Sequence, residues 1–173
     1  RRWQGTLGTL DVLPQGLAAW HLQRPATLVW NDGAASLGDL CLGAGTAQLC
    51  VQAARDAPGN VDLGYRLHGL PLASVLDATG YADATVRVTG ELEGEGRLHR
   101  NLAGAWSGQA ALASPQGTVS HLDHPDQALL AWHTLALGAT LAPDRQQFAL
   151  HGTLDHDGRI DGRLAITGAA RTL

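Results

Sequence analysis

The sequence has no Lys, no Met, a single Phe and two Cys among its 173 residues. All twelve basic residues are therefore Arg, and with sixteen Asp and Glu they give a net charge of −4. A nucleic-acid-binding surface would be basic, so this balance argues against a nucleic-acid partner. The missing initiator Met leads us to expect a piece of a longer or processed protein.

Long hydrophobic runs and catalytic motifs are also lacking. No apolar stretch approaches the roughly 18–20 residues that cross a bilayer, and there is no signal peptide. We expect any membrane contact to involve parts outside this segment. A G-x-S-x-G elbow, a Walker loop and H-E-x-x-H are all absent, so we expect no enzymatic activity and no cofactor. Without a linker or low-complexity tract, residues 1–173 are interpreted as one domain.

Residues 85–99, TVRVTGELEGEGRLH, show the clearest pattern in the chain. Alternate positions from Val86 to Leu98 are apolar or Gly, and those from Thr85 to His99 are polar or charged. Only a strand has this period, and at about 3.3 Å per residue the segment would span about 45–50 Å. A long strand with one apolar face predicts an all-β fold, a long antiparallel sheet curled into a U-shaped trough with an apolar interior.

The same alternation recurs along the chain and predicts which residues face the interior. Residues 70–80, LPLASVLDATG, break it with Pro at a helix start and Gly at its end, so we expect one short helix near 71–79. The residues predicted to face the interior are Val86, Val88, Gly90, Leu92, Gly94, Gly96, Leu98, Leu112, Leu135, Leu137, Phe148, Leu150, Leu154, Ile160, Leu164 and Ile166.

Several glycines fall in the apolar register, and they allow two interpretations. They bend long strands, since Gly permits kinks and bulges, or they leave interior space for an acyl chain. The glycines concerned are Gly90, Gly94, Gly96, Gly108, Gly152, Gly162 and Gly168.

The two cysteines, Cys41 and Cys50, are either buried free thiols or a disulfide. A two-residue turn at Gly45-Thr46 would pair Leu42 with Leu49 and Cys41 with Cys50, with the apolar pairs on one face and the cysteines on the other. The cysteine pair would be a non-hydrogen-bonded one, about 4.5 Å apart at Cα. This register favours the disulfide and an oxidising compartment.

Register also selects the turn of the last hairpin. A two-residue turn at Asp157-Gly158 would mix the faces, whereas a three-residue loop, residues 156–158, keeps them in agreement. The three-residue loop pairs Leu154 with Ile160 and Leu150 with Leu164, with Gly158 in the left-handed conformation.

Two polar clusters are candidates for chemistry. Loop residues His121, Asp123, His124 and Asp126 have ligand-type side chains, and Glu91, Glu93 and Glu95 share one strand face. Such loop residues are more often solvated turn formers, and the glutamates fit a solvated outer face. We therefore predict no metal site and no catalytic residues.

Five motifs occurring in order along nearly the whole segment resemble the TamB family, within the AsmA-like group of bridge-like envelope proteins. The cysteine pair followed by GLPL is the most distinctive. The motifs are Leu40-Cys41-Leu42 with Ala47 and Leu49-Cys50; Tyr65, Leu67 and residues 69–72; Val88 to Gly96; Leu129 to Trp132; and Gly158, Gly162 and Leu164.

The resemblance implies an interior segment of a long periplasmic β body, in a protein anchored in the inner membrane of a Gram-negative bacterium. It implies phospholipid transport between the two membranes, with acyl chains on the inner face, and an outer-membrane TamA-like barrel that meets other parts of the protein. Alternatives are a chaperone that assists outer-membrane protein assembly and secretion by strand addition, and a structural β spacer with a filled core.

Overall fold

The computed structural model describes residues 1–15, 18–79 and 85–168. One helix and thirteen strands occupy most of this part of the chain. The strands are β1 (Arg2–Leu7), β2 (Asp11–Val12), β3 (Trp20–Leu22), β4 (Ala26–Asn31), β5 (Ala34–Ala44), β6 (Ala47–Arg55), β7 (Val61–Pro71), β8 (Val86–Arg100), β9 (Trp106–Ser114), β10 (Gly117–His121), β11 (His124–Ala142), β12 (Arg145–Leu154) and β13 (Arg159–Thr167), and the helix is α1 (Leu72–Thr79).

All thirteen strands belong to one antiparallel sheet in which strands pair with others close to them in the chain, such as β4 with β5 and β1 with β4. Strands β9 and β10 both lie between β8 and β11, and each pairs with a different part of these two long strands. Within the described residues β1 and the short β2 form one edge and β13 forms the other, so the sheet is not closed into a barrel. The prediction of an all-β trough with an apolar interior and one short helix is confirmed.

Strand β8, which contains nearly all of the alternating segment 85–99, has the predicted alternation. In β8 the apolar and Gly positions are less exposed than most of the charged positions between them. We call the side of the sheet that carries Leu92 and Leu98 the inner face, and the opposite side, with Glu91 and Glu95, the outer face. Because paired residues in neighbouring strands point to the same side, the register assigns strand residues across the sheet to one of these faces.

Helix α1 covers part of the inner face at one end of β8. Pro71 directly precedes it, as the sequence predicts, and the residue expected to stop it, Gly80, lies outside the described residues. A Cβ built on Gly90 would lie 3.2 Å from Leu72 Cδ1, so the first turn of the helix contacts β8 closely.

The cystine hairpin has the predicted register. Leu40 pairs with Val51, Cys41 with Cys50 and Leu42 with Leu49, and Gly45 has a φ of 60°, as a type II′ turn requires. Cys41 and Cys50 form a disulfide with their Cα atoms 4.0 Å apart.

The predicted register of the last hairpin is wrong by two residues. Ile160 pairs with Gly152 and Leu164 with Phe148, instead of with Leu154 and Leu150. The connection spans residues 154–158 and closes with a hydrogen bond from Leu154 N to Gly158 O of 2.8 Å. Because a shift of two keeps every side chain on its face, the alternation could not exclude it.

The left-handed residues of this loop are His156 and Asp157, with φ of 58° and 59°, rather than the predicted Gly158. Asp and His are among the residues that tolerate this conformation best. Of the residues His121, Asp123, His124 and Asp126, which the sequence assigned to a loop, three lie in strands, since β10 ends at His121 and β11 already begins at His124.

Irregular positions line up across the middle of the sheet. The pairing shifts between Leu67 and Leu70 in β7 and between Trp132 and Thr134 in β11. Between these strands, Gly90 has a φ of 119° and residues 115–116 separate β9 from β10. Bulges and positive-φ glycines bend strands, so this line marks where long strands turn across the trough.

Candidate functional site

The inner face is a set of apolar rows that cross many strands. One row follows consecutive pairs from Leu42 in β5 to Gly162 in β13, and its members are Leu42, Leu49, Leu67, Gly94, Leu112, Leu137, Leu150 and Gly162. A second row contains Leu28, Leu37, Ala53, Leu63, Leu98, Gly108 and Leu141. The register therefore produces a continuous apolar surface.

The sixteen residues predicted to face the interior all lie on this inner face by register. For example, Val88 pairs with Val119, Leu154 pairs with Trp132 and Ile166 pairs with Gln146, and each of these partners lies on the inner face. Their contact with lipid remains a prediction.

Sequence reasoning left out inner residues in the first half of the sheet, such as Leu37, Leu49 and Leu67. It also left out Trp132, which is buried against Gly117 and donates from Nε1 to Ser114 Oγ at 3.1 Å. The alternation of Leu63, Tyr65 and Leu67 in the sequence could have predicted some of these inner residues. Nothing in the sequence around Trp132 marks a contact with Gly117.

Most of the inner glycines do not leave open space. The ring of Tyr65 lies over Gly96, and its hydroxyl donates to Ala111 O at 3.2 Å. A Cβ on Gly94 would lie 2.6 Å from Leu112 Cδ2, and one on Gly152 would lie 3.1 Å from Leu135 Cδ1. Side chains of neighbouring strands therefore fill these positions.

Two further inner glycines serve the backbone. Gly90 and Gly108 have φ of 119° and 132°, where other residues are strained. At Gly168 a Cβ would meet nothing within 4 Å. The structure thus favours bending and packing over interior space as the role of most of these glycines.

Exposure on the inner face increases towards β13. Leu137 is 44% exposed and Leu164 is 57% exposed, and Leu150 and Ile166 are also exposed. In contrast, the inner leucines of β8 are only partly exposed. The exposed Leu and Ile side chains of the strands are thus concentrated on β11, β12 and β13, where other side chains do not cover them.

The outer face is polar and carries cross-strand pairs of His with carboxylates. His99 Nδ1 lies 2.8 Å from Asp62 Oδ1, His151 Nδ1 lies 2.7 Å from Asp161 Oδ1, and both pairs are exposed. The hydrogen bond with His151, helped by Arg159, lowers the pKa of Asp161 below its ordinary value of 3.8. This face fits a solvated exterior.

The two polar clusters of the sequence lie in different parts of the fold. Glu91, Glu93 and Glu95 lie on the outer face, where Glu93 contacts His68 at 3.3 Å. His121 pairs with His124 beside a tight turn. Among residues 1–15, 18–79 and 85–168, no group of three or more His, Cys, Asp or Glu side chains is arranged to hold a metal ion.

A cleft of about 970 Å³ lies on the outer face and crosses the strands from β6 to β13. Arg66, Arg97 and Arg163 project along it, together with Glu95, and small residues form its floor. Its lining is mixed and Arg66 also faces Asp39 at 3.8 Å. The apolar site and this polar cleft are therefore on opposite sides of the sheet.

No helix within the described parts of the chain is both long and apolar enough to cross a membrane. The model of a protein family described as the TamB N-terminal domain matches residues 1–173, the whole chain. No curated protein and no solved structure matches the chain.

Proposed function

Because the chain belongs to the TamB family, the translocation and assembly module proteins, we propose that it is part of a periplasmic conduit carrying phospholipid between the membranes of a Gram-negative envelope. Acyl chains lie along the inner face of the open sheet. The observation that carries the proposal is the continuous apolar surface formed by paired rows from β5 to β13, exposed at Leu137, Leu150 and Leu164. A surface of this kind rarely stays bare in water.

One covalent feature supports the cellular setting of this proposal. The disulfide between Cys41 and Cys50 fits an oxidising compartment such as the periplasm. The proposal places the inner-membrane anchor, and the surface for a TamA-like outer-membrane barrel, in parts of the protein outside this segment. It assigns no catalytic residue and leaves the segment's position, expected to be interior to the β body, as a prediction.

The test compares charges placed on opposite faces of the same two strands. Leu150→Asp/Leu164→Asp puts two carboxylates on the exposed inner face, and Ala149→Asp/Ala165→Asp puts two on the outer face at adjacent positions. All four side chains are exposed, so the carboxylates stay hydrated in both variants. Native mass spectrometry with lipid extraction, after purification from a bacterial envelope, measures co-purified phospholipid.

We expect phospholipid on the wild type and on the outer-face variant, and a loss of most of it from the inner-face variant while circular dichroism stays unchanged. Equal lipid on both variants would contradict an inner-face site. A folded wild type without lipid would instead favour a structural spacer.

A second candidate function is a chaperone that adds substrate strands to a free edge of the sheet. The observation that favours it is the edge strand β13, which pairs only with β12 among the described residues. Strand addition depends on backbone hydrogen bonds, so the inner-face variant would keep this activity. Retained binding of an unfolded outer-membrane protein by Leu150→Asp/Leu164→Asp, without lipid on the wild type, would support this function.

A further inference from the structure

A single cross-strand row at one rim of the inner face differs from all the apolar rows beside it. We call it the rim row, and each consecutive pair in it is a register pair of neighbouring strands. Its members are Trp3, Trp30, Ala35, Arg55, Val61, Arg100 and Trp106.

The rim row contains the charges of the inner face in this part of the sheet. In the described strands β1 and β4–β9, Arg55 and Arg100 are the charged residues at inner positions, and both are positive. The adjacent row, with Leu37, Leu63 and Leu98, is apolar. Two cations therefore border an apolar surface, although the whole chain has a net charge of −4.

Both guanidinium groups are exposed and lack a carboxylate partner among the described residues. Arg55 Nη1 donates to Gly33 O at 3.2 Å, and Arg100 lies against Gly104 of its own hairpin loop. The nearby carboxylate of Asp56 is occupied, since it accepts from the backbone N–H groups of Gly59 and Asn60 at 2.8 and 2.7 Å. The two Arg side chains are thus available to an external anion.

The spacing of the two Arg residues suits one phosphate group. Only Val61 separates them in the row, so their Cα atoms are two strand spacings apart, or about 10 Å. Side chains of this length can converge on one group between them, and guanidinium binds phosphate through two parallel hydrogen bonds.

Three Trp residues complete the row, and they are exposed by 58% (Trp3), 46% (Trp30) and 37% (Trp106). Trp combines a large apolar ring with one N–H donor, which suits the boundary between acyl chains and head groups. The Trp rings and the two cations thus share the rim row, and the apolar row with Leu37, Leu63 and Leu98 lies directly beside it. An apolar row beside a row of Trp and cationic side chains matches the acyl chains and the head group of a phospholipid.

We propose that Arg55 and Arg100 bind the phosphate of a phospholipid whose acyl chains lie on the apolar rows beside them. This inference rests on the proposed function, because it needs acyl chains on the inner face. It adds a head-group site with a fixed position and sets the orientation of the lipid: the phosphate at the rim row and the chains directed from it onto the apolar rows.

The experiment compares two double variants that remove the same charge. Arg55→Gln/Arg100→Gln changes the rim row, and Arg87→Gln/Arg97→Gln changes two exposed outer-face residues of β8. Each purified protein is titrated with dioleoyl phosphatidylglycerol, with dioleoylglycerol, which has the same chains without phosphate, and with glycerol phosphate, which has no chains. Native mass spectrometry measures binding, and circular dichroism checks the fold.

We expect the rim variant to bind phosphatidylglycerol at least about tenfold more weakly than wild type, with dioleoylglycerol unchanged, because charge-assisted hydrogen bonds to phosphate are lost. The outer-face variant should bind both as wild type does, and Arg55→Lys/Arg100→Lys should recover part of the affinity. Glycerol phosphate should bind none of the proteins at the same concentration.

Unchanged phosphatidylglycerol binding by the rim variant, or an equal loss in the outer-face variant, would overturn the head-group site while leaving the conduit intact. Binding of glycerol phosphate as strong as that of the lipid would identify a site for free phosphate esters instead. If the folded wild type binds neither lipid, the proposed function itself fails.

Discussion

Gly108 and Gly138 lie on opposite faces of the sheet and differ in what a methyl group would meet. Gly108 has a φ of 132°, and a Cβ there would collide with the carbonyl oxygen of Arg97. At Gly138 a Cβ would meet nothing within 4 Å, and its φ lies outside the left-handed region. The two positions therefore separate a glycine that the backbone requires from one that it does not.

We expect Gly108→Ala to lower the free energy of unfolding by about 1–3 kcal/mol, because the new side chain strains the backbone. Gly138→Ala should raise it by about 0.4–1 kcal/mol, because alanine restricts the unfolded chain. Urea unfolding followed by far-ultraviolet circular dichroism measures both. Equal effects of the two substitutions would contradict a structural role for Gly108.

At the scale of elements, the β5–β6 hairpin depends on the disulfide. Its loop from Cys41 to Cys50 spans a sequence separation of 9 residues. Closing a loop of this length restricts the unfolded chain, so Cys41→Ala/Cys50→Ala should lower the free energy of unfolding by about 2–3 kcal/mol. A reductant should shift the urea midpoint of the wild type towards that of the variant and leave the variant unchanged. If the reductant also shifts the urea midpoint of the variant, the shift of the wild type does not come from the disulfide.

The two hairpins show what the sequence can and cannot predict about an element. At Gly45-Thr46 a two-residue turn with Gly in place fixes one register, and the structure has that register. At residues 154–158, registers that differ by two residues keep the same faces, so the alternation predicted the faces correctly and the pairing incorrectly.

The candidate site follows the same division. The alternation was enough to assign Leu112, Leu150 and the other residues predicted to face the interior to one face of the sheet. Tyr65 covers Gly96, and Arg55 lies in one row with Arg100, only because of how the strands pair. No local sequence pattern contains this pairing. Sequence reasoning therefore predicted the surface but missed its rim and the packing over its glycines.

At the scale of the whole molecule, the strands differ in how many neighbours hold them. β1 and β13 each pair on one side among the described residues, whereas β6, β7 and β8 pair on both sides. Amide hydrogen exchange should therefore be fastest in β1 and β13 and slowest in β7 and β8, since edge strands open with less loss of hydrogen bonds. Hydrogen–deuterium exchange with mass spectrometry measures this gradient.

The internal control for that measurement is β12, which pairs with β13 on one side and with β11 on the other. Its amides should exchange more slowly than those of β13. Uniform protection from β1 to β13 would show that the free edges are covered in solution, for example by a second copy of the chain.

The pairing of strands that lie close together in the chain also affects how the protein folds. Contacts between strands that are close in sequence keep the contact order low for a β protein, and low contact order favours rapid folding. As the chain emerges during synthesis, most new strands can dock on a strand made shortly before. The sheet can then lengthen stepwise, without waiting for distant segments to arrive.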